Sequence, residues 1–255
     1  MEGIVVKNEY DREFQQFLIE HAMKSAKEIM PYIQEILHPK SIVDFGCGTG
    51  TWLKVAKDLW GGVVTGLDGN YIERDLLMIQ KDEFIATDLT KPVTLERKYD
   101  LAMSLEVAEH IDSVYADIFI ESICKASDVI FFSAALPGQW GVHHVNEQRL
   151  SYWVEKFEKN GFQCFDIIRP RFWYNKNVDL DYRQNCVIFA KKSRDNSDIE
   201  KYEGKIMDIA HPEFLEGRTK AWRYWMDKVE YIQEKHKVIA WILRKVWKRY
   251  KKIRL

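Results

Sequence analysis

Three glycines in the run Val43-Asp44-Phe45-Gly46-Cys47-Gly48-Thr49-Gly50 are the sharpest chemical signal in the sequence. A glycine turn between a strand and a helix lets the backbone bend tightly and approach a ligand closely. Three acids, Asp44, Asp68 and Asp88, stand at or near the ends of short apolar runs. In an open parallel sheet they would converge where ligands bind, beyond the carboxyl ends of the strands. Two further sets offer proton or metal chemistry. Glu106, Glu109 and His110 stand at i, i+3 and i+4, which predicts a shared face if the segment is helical. His143 and His144 are adjacent, and the ordinary pKa of imidazole suits proton removal near neutrality.

The glycine turn admits three ligand readings. A triphosphate loop needs GxxxxGK[ST], which is absent. A dinucleotide turn needs GxGxxG, but its third glycine would fall on Thr51. Acids around the turn suit a cation better than a pyrophosphate. S-adenosylmethionine fits: its sulfonium, ammonium, ribose hydroxyls and adenine amino group all offer positive charge or donors to carboxylates.

The surrounding pattern alternates strands with helices. Helical spacing runs over 10–37, interrupted near Pro31, and again over 52–59, 112–126 and 150–157, with Asn146 as N-cap of the last and Asn160-Gly161 closing it. Strands are predicted at 41–45, 63–68, 84–88, 99–105, 128–133, 162–169 and 186–191, the last two with no clear helix between them and antiparallel. Crossovers of this length imply a mostly parallel sheet covered on both faces. The expected fold class is therefore α/β, Rossmann-like, with about seven strands and a C-terminal helical extension. The polar stretch 193–197 is the expected boundary: a domain at 1–195, with a helical lead-in at 1–40, then an extension at 196–255.

With Val43–Gly50, Gly66-Leu67-Asp68-Gly69, Ala86-Thr87-Asp88-Leu89 and Tyr99-Asp100-Leu101 through Ser104-Leu105-Glu106-Val107-Ala108-Glu109-His110, the sequence resembles the class I S-adenosylmethionine-dependent methyltransferases over about residues 35–192. The resemblance implies that Gly46, Cys47, Gly48 and Gly50 pass close to the cofactor, with Asp44 near its methionyl end. It places Asp68 and Gly69 at the ribose, Asp88 and Leu89 about the adenine, and Leu105 and Glu106 at the end of the fourth strand. S-adenosyl-L-homocysteine would be the product.

The segment from Phe132 to Gln148, with Tyr152-Trp153 and Asp181-Tyr182-Arg183-Gln184-Asn185, is similar to sugar O-methyltransferases of bacterial capsule and lipopolysaccharide clusters. A sugar hydroxyl is a weak nucleophile at neutral pH and calls for a positioned base. His144 is preferred to His143 for that role, with Glu109 and His110 as further catalytic candidates. Gln139, Trp140, Tyr182, Gln184 and Asn185 are of the kinds that bind sugars, amides for hydroxyls and aromatics for ring faces. Arg169 and Arg171, flanking Pro170, could clasp a nucleotide diphosphate. Glu106, Glu109 and His110 are also similar to the metal-holding set of ubiquinone-pathway O-methyltransferases; magnesium there is the less favoured option, paired with a phenolic or lipid-like acceptor. N-methylation is disfavoured, because Ser104-Leu105-Glu106-Val107 stands where an Asn/Asp-Pro-Pro-aromatic motif would be. A non-catalytic scaffold with this fold is the alternative outside enzymes.

Composition bounds these readings. The 255 residues include 38 Lys+Arg and 39 Asp+Glu, with 46% hydrophobic residues, which excludes a disordered or fibrous chain. Near-neutrality argues against a dedicated nucleic-acid partner, but the charge is uneven. Residues 236–255 hold eight Lys/Arg and no acid, leaving 30 basic against 39 acidic residues before them. With its Trp/Ile/Leu stripe, this tail is expected to contact a membrane surface or pack against a subunit. No secretory leader or spanning run is evident, and Cys47, Cys124, Cys164 and Cys186 match no zinc or disulfide spacing. A cytoplasmic location follows as an expectation, at most peripheral to the inner face of the membrane, with a small sugar or nucleotide sugar as the substrate.

Overall fold

A computed structural model describes residues 12–200, 208–235, 241 and 245–247. Seven strands form one sheet in the order β3-β2-β1-β4-β5-β7-β6. They are β1 (Ser41–Phe45), β2 (Val63–Asp68), β3 (Phe84–Ala86), β4 (Leu101–Leu105), β5 (Val129–Ser133), β6 (Phe162–Phe165) and β7 (Val187–Lys191). The first five are mutually parallel, and β7 runs antiparallel between β5 and β6. The strand order reverses between β1 and β4, the crevice where open α/β sheets bind ligands.

Alternation along the strands builds two core layers. Ile42, Leu101, Met103, Phe131 and Ile188 face a cluster that includes Ile29, Met30 and Ile33 of α1 (Arg12–Leu37) and Trp52 and Leu53 of α2 (Thr51–Trp60). Val43, Phe45, Ile130, Phe132, Val187 and Phe189 face α3 (Ala116–Ala126) and α4 (Leu150–Lys159). Phe157 stacks on Phe189 with ring centroids 3.9 Å apart. Because both faces are covered, β4 and β5 are buried at every position.

Several expected bounds shift. Helix α1 continues through Pro31, where burial of Ile29, Met30 and Ile33 offsets the roughly 3 kcal/mol that an interior proline costs. The strand expected at 162–169 stops at Phe165, and α5 (Ile168–Phe172) and α6 (Leu180–Asn185) fill the interval taken to lack a helix. Asn146 does not cap α4. The cap position is Arg149, while Asn146 is buried and its amide donates to the Glu109 carbonyl.

The chain divides into two compact units, Met1–Ile209 and Ala210–Leu255. The first extends past the expected boundary at 195, since Ile199 is fully buried in the α1/α2 core layer. The second contains α7 (Pro212–Lys235), with Trp222 and Trp225 exposed. The basic-tail reading falls almost wholly outside the described residues. No helix among the described residues is long and apolar enough to cross a membrane.

Candidate active site

A cavity of about 900 Å³ opens at the carboxyl ends of β1, β2 and β4. Its wall joins the glycine turn (Gly46, Cys47, Gly48), Asp44, Asp68, Gly69, Asp88 and Leu89 to Leu105, Glu106, Glu109, His110, Gln139, Trp140, His144 and Tyr182. The residues expected to hold the cofactor, Gly50 excepted, therefore share one space with Gln139, Trp140 and Tyr182 of those expected to hold the acceptor.

The turn is held by backbone pairing across the crevice. The amides of Gly46 and Cys47 both donate to the Leu67 carbonyl, at 2.7 and 3.1 Å. Gly46 has φ +87°, and a Cβ there would lie 2.4 Å from a Val107 methyl, so only glycine fits. Gly48 has open space where its Cβ would be, which leaves a path for a ligand. Gly50 does not line the cavity; it starts α2 in a left-handed conformation against Ile79.

Charge at the turn favours a cationic guest. Asp68 accepts from the Gly48 amide (2.7 Å), the Gly69 amide (2.6 Å) and the Tyr71 hydroxyl (2.6 Å). Its pKa is nevertheless raised, because burial outweighs those bonds. Asp44 is buried with Oδ1 unpartnered, and burial together with the Asp68 charge pushes its pKa up to about 7. Cys47 is held as an inert thiol, its pKa raised by burial and by the two acids. At the far end, Asp88 is exposed and accepts from the Thr90 amide and hydroxyl, which with Lys91 hold its pKa below the usual range.

The acceptor end departs from the helical expectation. Glu106 follows β4 directly with φ +54°, and only Ala108–His110 form a helical turn, of 3₁₀ type, so Glu106, Glu109 and His110 share no helical face. A left-handed glutamate costs of order 1–3 kcal/mol and persists only where its surroundings hold it. Here its amide meets Ser133 Oγ at 3.0 Å. Its carboxylate is gripped by Gln139 (2.8 Å) and Asn185 (3.1 and 3.2 Å). Burial and the Asp181 charge raise its pKa to about 7.

Asn185 is therefore corrected from a sugar contact to a support of Glu106, whereas Gln139 supports Glu106 and also stays on the cavity wall. Asn185 and Gln184 are buried away from the cavity wall. Trp140 and Tyr182 do line the cavity, and Tyr182 lies edge-on to Trp52.

Two basic expectations are also corrected. Arg169 is buried and pairs through two nitrogens with Asp166, at 2.8 and 2.6 Å. Arg171 is exposed, with its guanidinium 5.5 Å from the Tyr32 ring centre. Neither lines the cavity, so the diphosphate clasp does not exist as drawn.

Of the two histidines only His144 reaches the cavity; His143 is exposed with φ +59°. His144 Nδ1 lies 2.9 Å from Glu147 Oε1, and its ring meets His110 edge-on, centroids 4.8 Å apart. Burial, with the His144 ring beside it, lowers the His110 pKa to about 4, so it is neutral at pH 7. Glu109 is fully buried, its pKa raised by burial and by the Glu106 charge; the nearby amides of Glu109 and Ala135 offset this only in part. Tyr71, Asp181 and Glu147 were not among the sequence candidates. Glu147 had a weak signal, three residues after His144.

The sequence matches the methyltransferase domain family over residues 14–166, more than half of the chain. The chain belongs to that family. Its methyl donor is S-adenosylmethionine, in keeping with the paired acids and open glycine turn. Among solved structures, the methyltransferase shares its fold with an O-methyltransferase family protein from Burkholderia thailandensis, with TM-score 0.53 and 12% identity, covering 71% of this chain and 60% of that one. DesVI of Streptomyces venezuelae is similar at TM-score 0.53 and 12% identity, covering 72% and 99%. A curated relative, ribosomal RNA large subunit methyltransferase E of Methanocella arvoryzae, is 33% identical over 105 residues, 41% of this chain. The chain spans only about a third of that protein's length.

Proposed function

We propose that the protein transfers the methyl group of S-adenosylmethionine to a hydroxyl of a sugar, with His144 accepting the hydroxyl proton. One observation carries this reading: the His144–Glu147 pair opens on the same cavity as Asp44, Asp68 and the glycine turn. Glu147 fixes the imidazole by its Nδ1 atom, which leaves Nε2 to take a proton as the acceptor oxygen attacks in line with the departing sulfur. Trp140 and Tyr182 offer aromatic faces to a sugar ring, and Glu106 and Asp181 offer acceptors for its hydroxyls.

Seven carboxylates line the cavity and, among the described residues, no lysine or arginine does. This favours an acceptor without phosphate over a nucleotide sugar, and it speaks against carrying an RNA substrate over from the partial archaeal relative. The assignment to surface-polysaccharide assembly rests on the sequence resemblance alone.

The test incubates the protein with cofactor and two panels, neutral sugars and nucleotide sugars, and follows the mass of one added methylene. Methylation of a neutral sugar is expected, with kcat about 10²- to 10⁴-fold lower in His144→Ala at unchanged cofactor affinity. Turnover of phenols alone, or an unimpaired His144→Ala, would overturn it.

A further inference from the structure

A second cavity, of about 400 Å³, is lined by Trp140, Gly141, His144, Val145 and Glu147 of the loop after β5. Trp140, Gly141 and His144 also line the main cavity, so the two spaces meet at the proposed base. Glycine keeps the meeting point open: a Cβ on Gly141 would lie 2.1 Å from His144 Nε2. Trp140 and Val145 present large apolar side chains there, 65% and 62% exposed. The backbone of Trp140 is left-handed, with φ +54°. Strain of that kind persists only where the surroundings hold it, and it clusters at ligand clamps. Glu147 does the holding. Its Oε1 accepts the Trp140 amide at 2.6 Å and lies 2.9 Å from His144 Nδ1, while Oε2 accepts the Gly138 amide at 2.7 Å. One carboxylate thereby sets the spacing between the base and the tryptophan. A carboxylate has about four acceptor positions, so Oε2 retains one for a further donor.

We infer that this outer cavity is a second acceptor subsite, which takes the sugar ring next to the one being methylated; the inference rests on the sugar O-methylation reading above. The acceptor is then a neutral glycan of at least two rings. Its reacting ring sits in the main cavity with one hydroxyl at His144 Nε2, and the glycosidic link passes over Gly141. The neighbouring ring lies against Trp140 and Val145, and one of its hydroxyls donates to Glu147 Oε2. The lining selects this occupant. A volume of 400 Å³ falls within the roughly 300–1,000 Å³ of small-molecule sites. An aromatic face beside a carboxylate acceptor suits a ring that is apolar on its faces and hydroxylated on its rim. No lysine or arginine lines the cavity among the described residues, which disfavours a phosphate. A lipid chain would take Glu147 out of water and offer it no donor. The transfer step itself is unchanged: Nε2 takes the hydroxyl proton as the O–C bond forms, and the electron pair of the C–S bond stays on sulfur.

The test measures kcat and KM of the full-length enzyme at saturating S-adenosylmethionine. The acceptors are neutral monosaccharide methyl glycosides and the disaccharides that extend them through different linkages. At least one disaccharide is expected to exceed its monosaccharide about tenfold or more in kcat/KM. The gain should lie mostly in KM, because contacts to the distant ring are equal in the ground and transition states. Trp140→Ala removes the aromatic face and Val145→Arg drives a long side chain across the cavity. Either should bring the disaccharide-to-monosaccharide ratio to within about twofold of unity. Gly141→Ala should lower kcat about 10²-fold or more on both acceptors, since its methyl displaces the base. All three variants should bind S-adenosylmethionine as wild type by calorimetry, which confirms the fold. Equal kcat/KM for single and linked rings in the wild type, or a preference that survives in both outer-cavity variants, overturns the subsite and leaves the sugar reading intact. A Gly141→Ala enzyme with wild-type kcat overturns the passage over Gly141. Methylation of no sugar, single or linked, overturns the sugar reading itself and the subsite with it.

Discussion

Asp68→Asn tests the cofactor reading with almost no change of shape. The native carboxylate accepts from the Gly48 amide on Oδ2 and from the Gly69 amide and Tyr71 hydroxyl on Oδ1, all at 2.6–2.7 Å. An asparagine must turn its NH₂ toward one of these donors. The least costly orientation keeps the two bonds at Oδ1 and sets NH₂ against the Gly48 amide. One buried donor is then unpaired, at about 1–3 kcal/mol. For a domain of this size, that lowers Tm by about 2–4 °C per kcal/mol. The ribose hydroxyls would in addition lose a charged acceptor worth about 1.5–3 kcal/mol, or roughly 10- to 150-fold in Kd. Isothermal calorimetry with S-adenosylmethionine, alongside a thermal melt, measures both effects. Tyr71→Phe is the comparison, removing one of the three bonds and no charge. An Asp68→Asn protein that binds S-adenosylmethionine within twofold of wild type would refute this assignment, whatever its Tm.

Asp44 provides a pH test. Its folded pKa of about 7 lies above the ordinary 3.8, so the unfolded chain releases this proton first. Its contribution to stability therefore falls as pH rises from about 4 to 7, by roughly 4 kcal/mol in total. Asp44→Asn should raise the Tm of the cofactor-free protein at pH 8 much more than at pH 4 and should weaken cofactor binding; an equal change at both pH values would count against it. Gly46→Ala places a methyl 2.4 Å from Val107 at φ +87°, so binding loss of tenfold or more is expected by calorimetry, with partial recovery in the Gly46→Ala/Val107→Ala pair. Arg169→Ala breaks a buried pair with Asp166 and should cost about 3–5 kcal/mol in chemical denaturation while leaving KM for any acceptor unchanged. A raised KM at native stability would restore Arg169 to the substrate.

The cofactor half was legible because its signals are local. Glycines forced by positive φ, apolar strand runs and an acid at each strand end lie within a few residues of one another, and sheet topology carries them to one crevice. The acceptor half was not legible in the same way. Glu106 looked helical by spacing, but its left-handed backbone is held by Ser133, Gln139 and Asn185, from three other stretches of chain. Arg169 looked like half of a diphosphate clasp, but Asp166, three residues earlier, takes it into the core. Asn146 looked like a cap, yet its side-chain oxygen accepts from Gln148 Nε2 and the helix starts only at Leu150.

The sequence by itself determined the α/β class, the parallel strands β1 to β5, the glycine turn and the positions of Asp44, Asp68 and Asp88. Those follow from backbone sterics and hydrophobic periodicity, which act over short distances along the chain. Only the tertiary structure decided that His144, rather than Glu106, joins Glu109 and His110. The 33 residues between His110 and His144 carry no periodic signal for that meeting. It is made by burial of the 108–110 turn and by two amides of the following loop seeking the one carbonyl, a pairing between distant segments that no local propensity encodes.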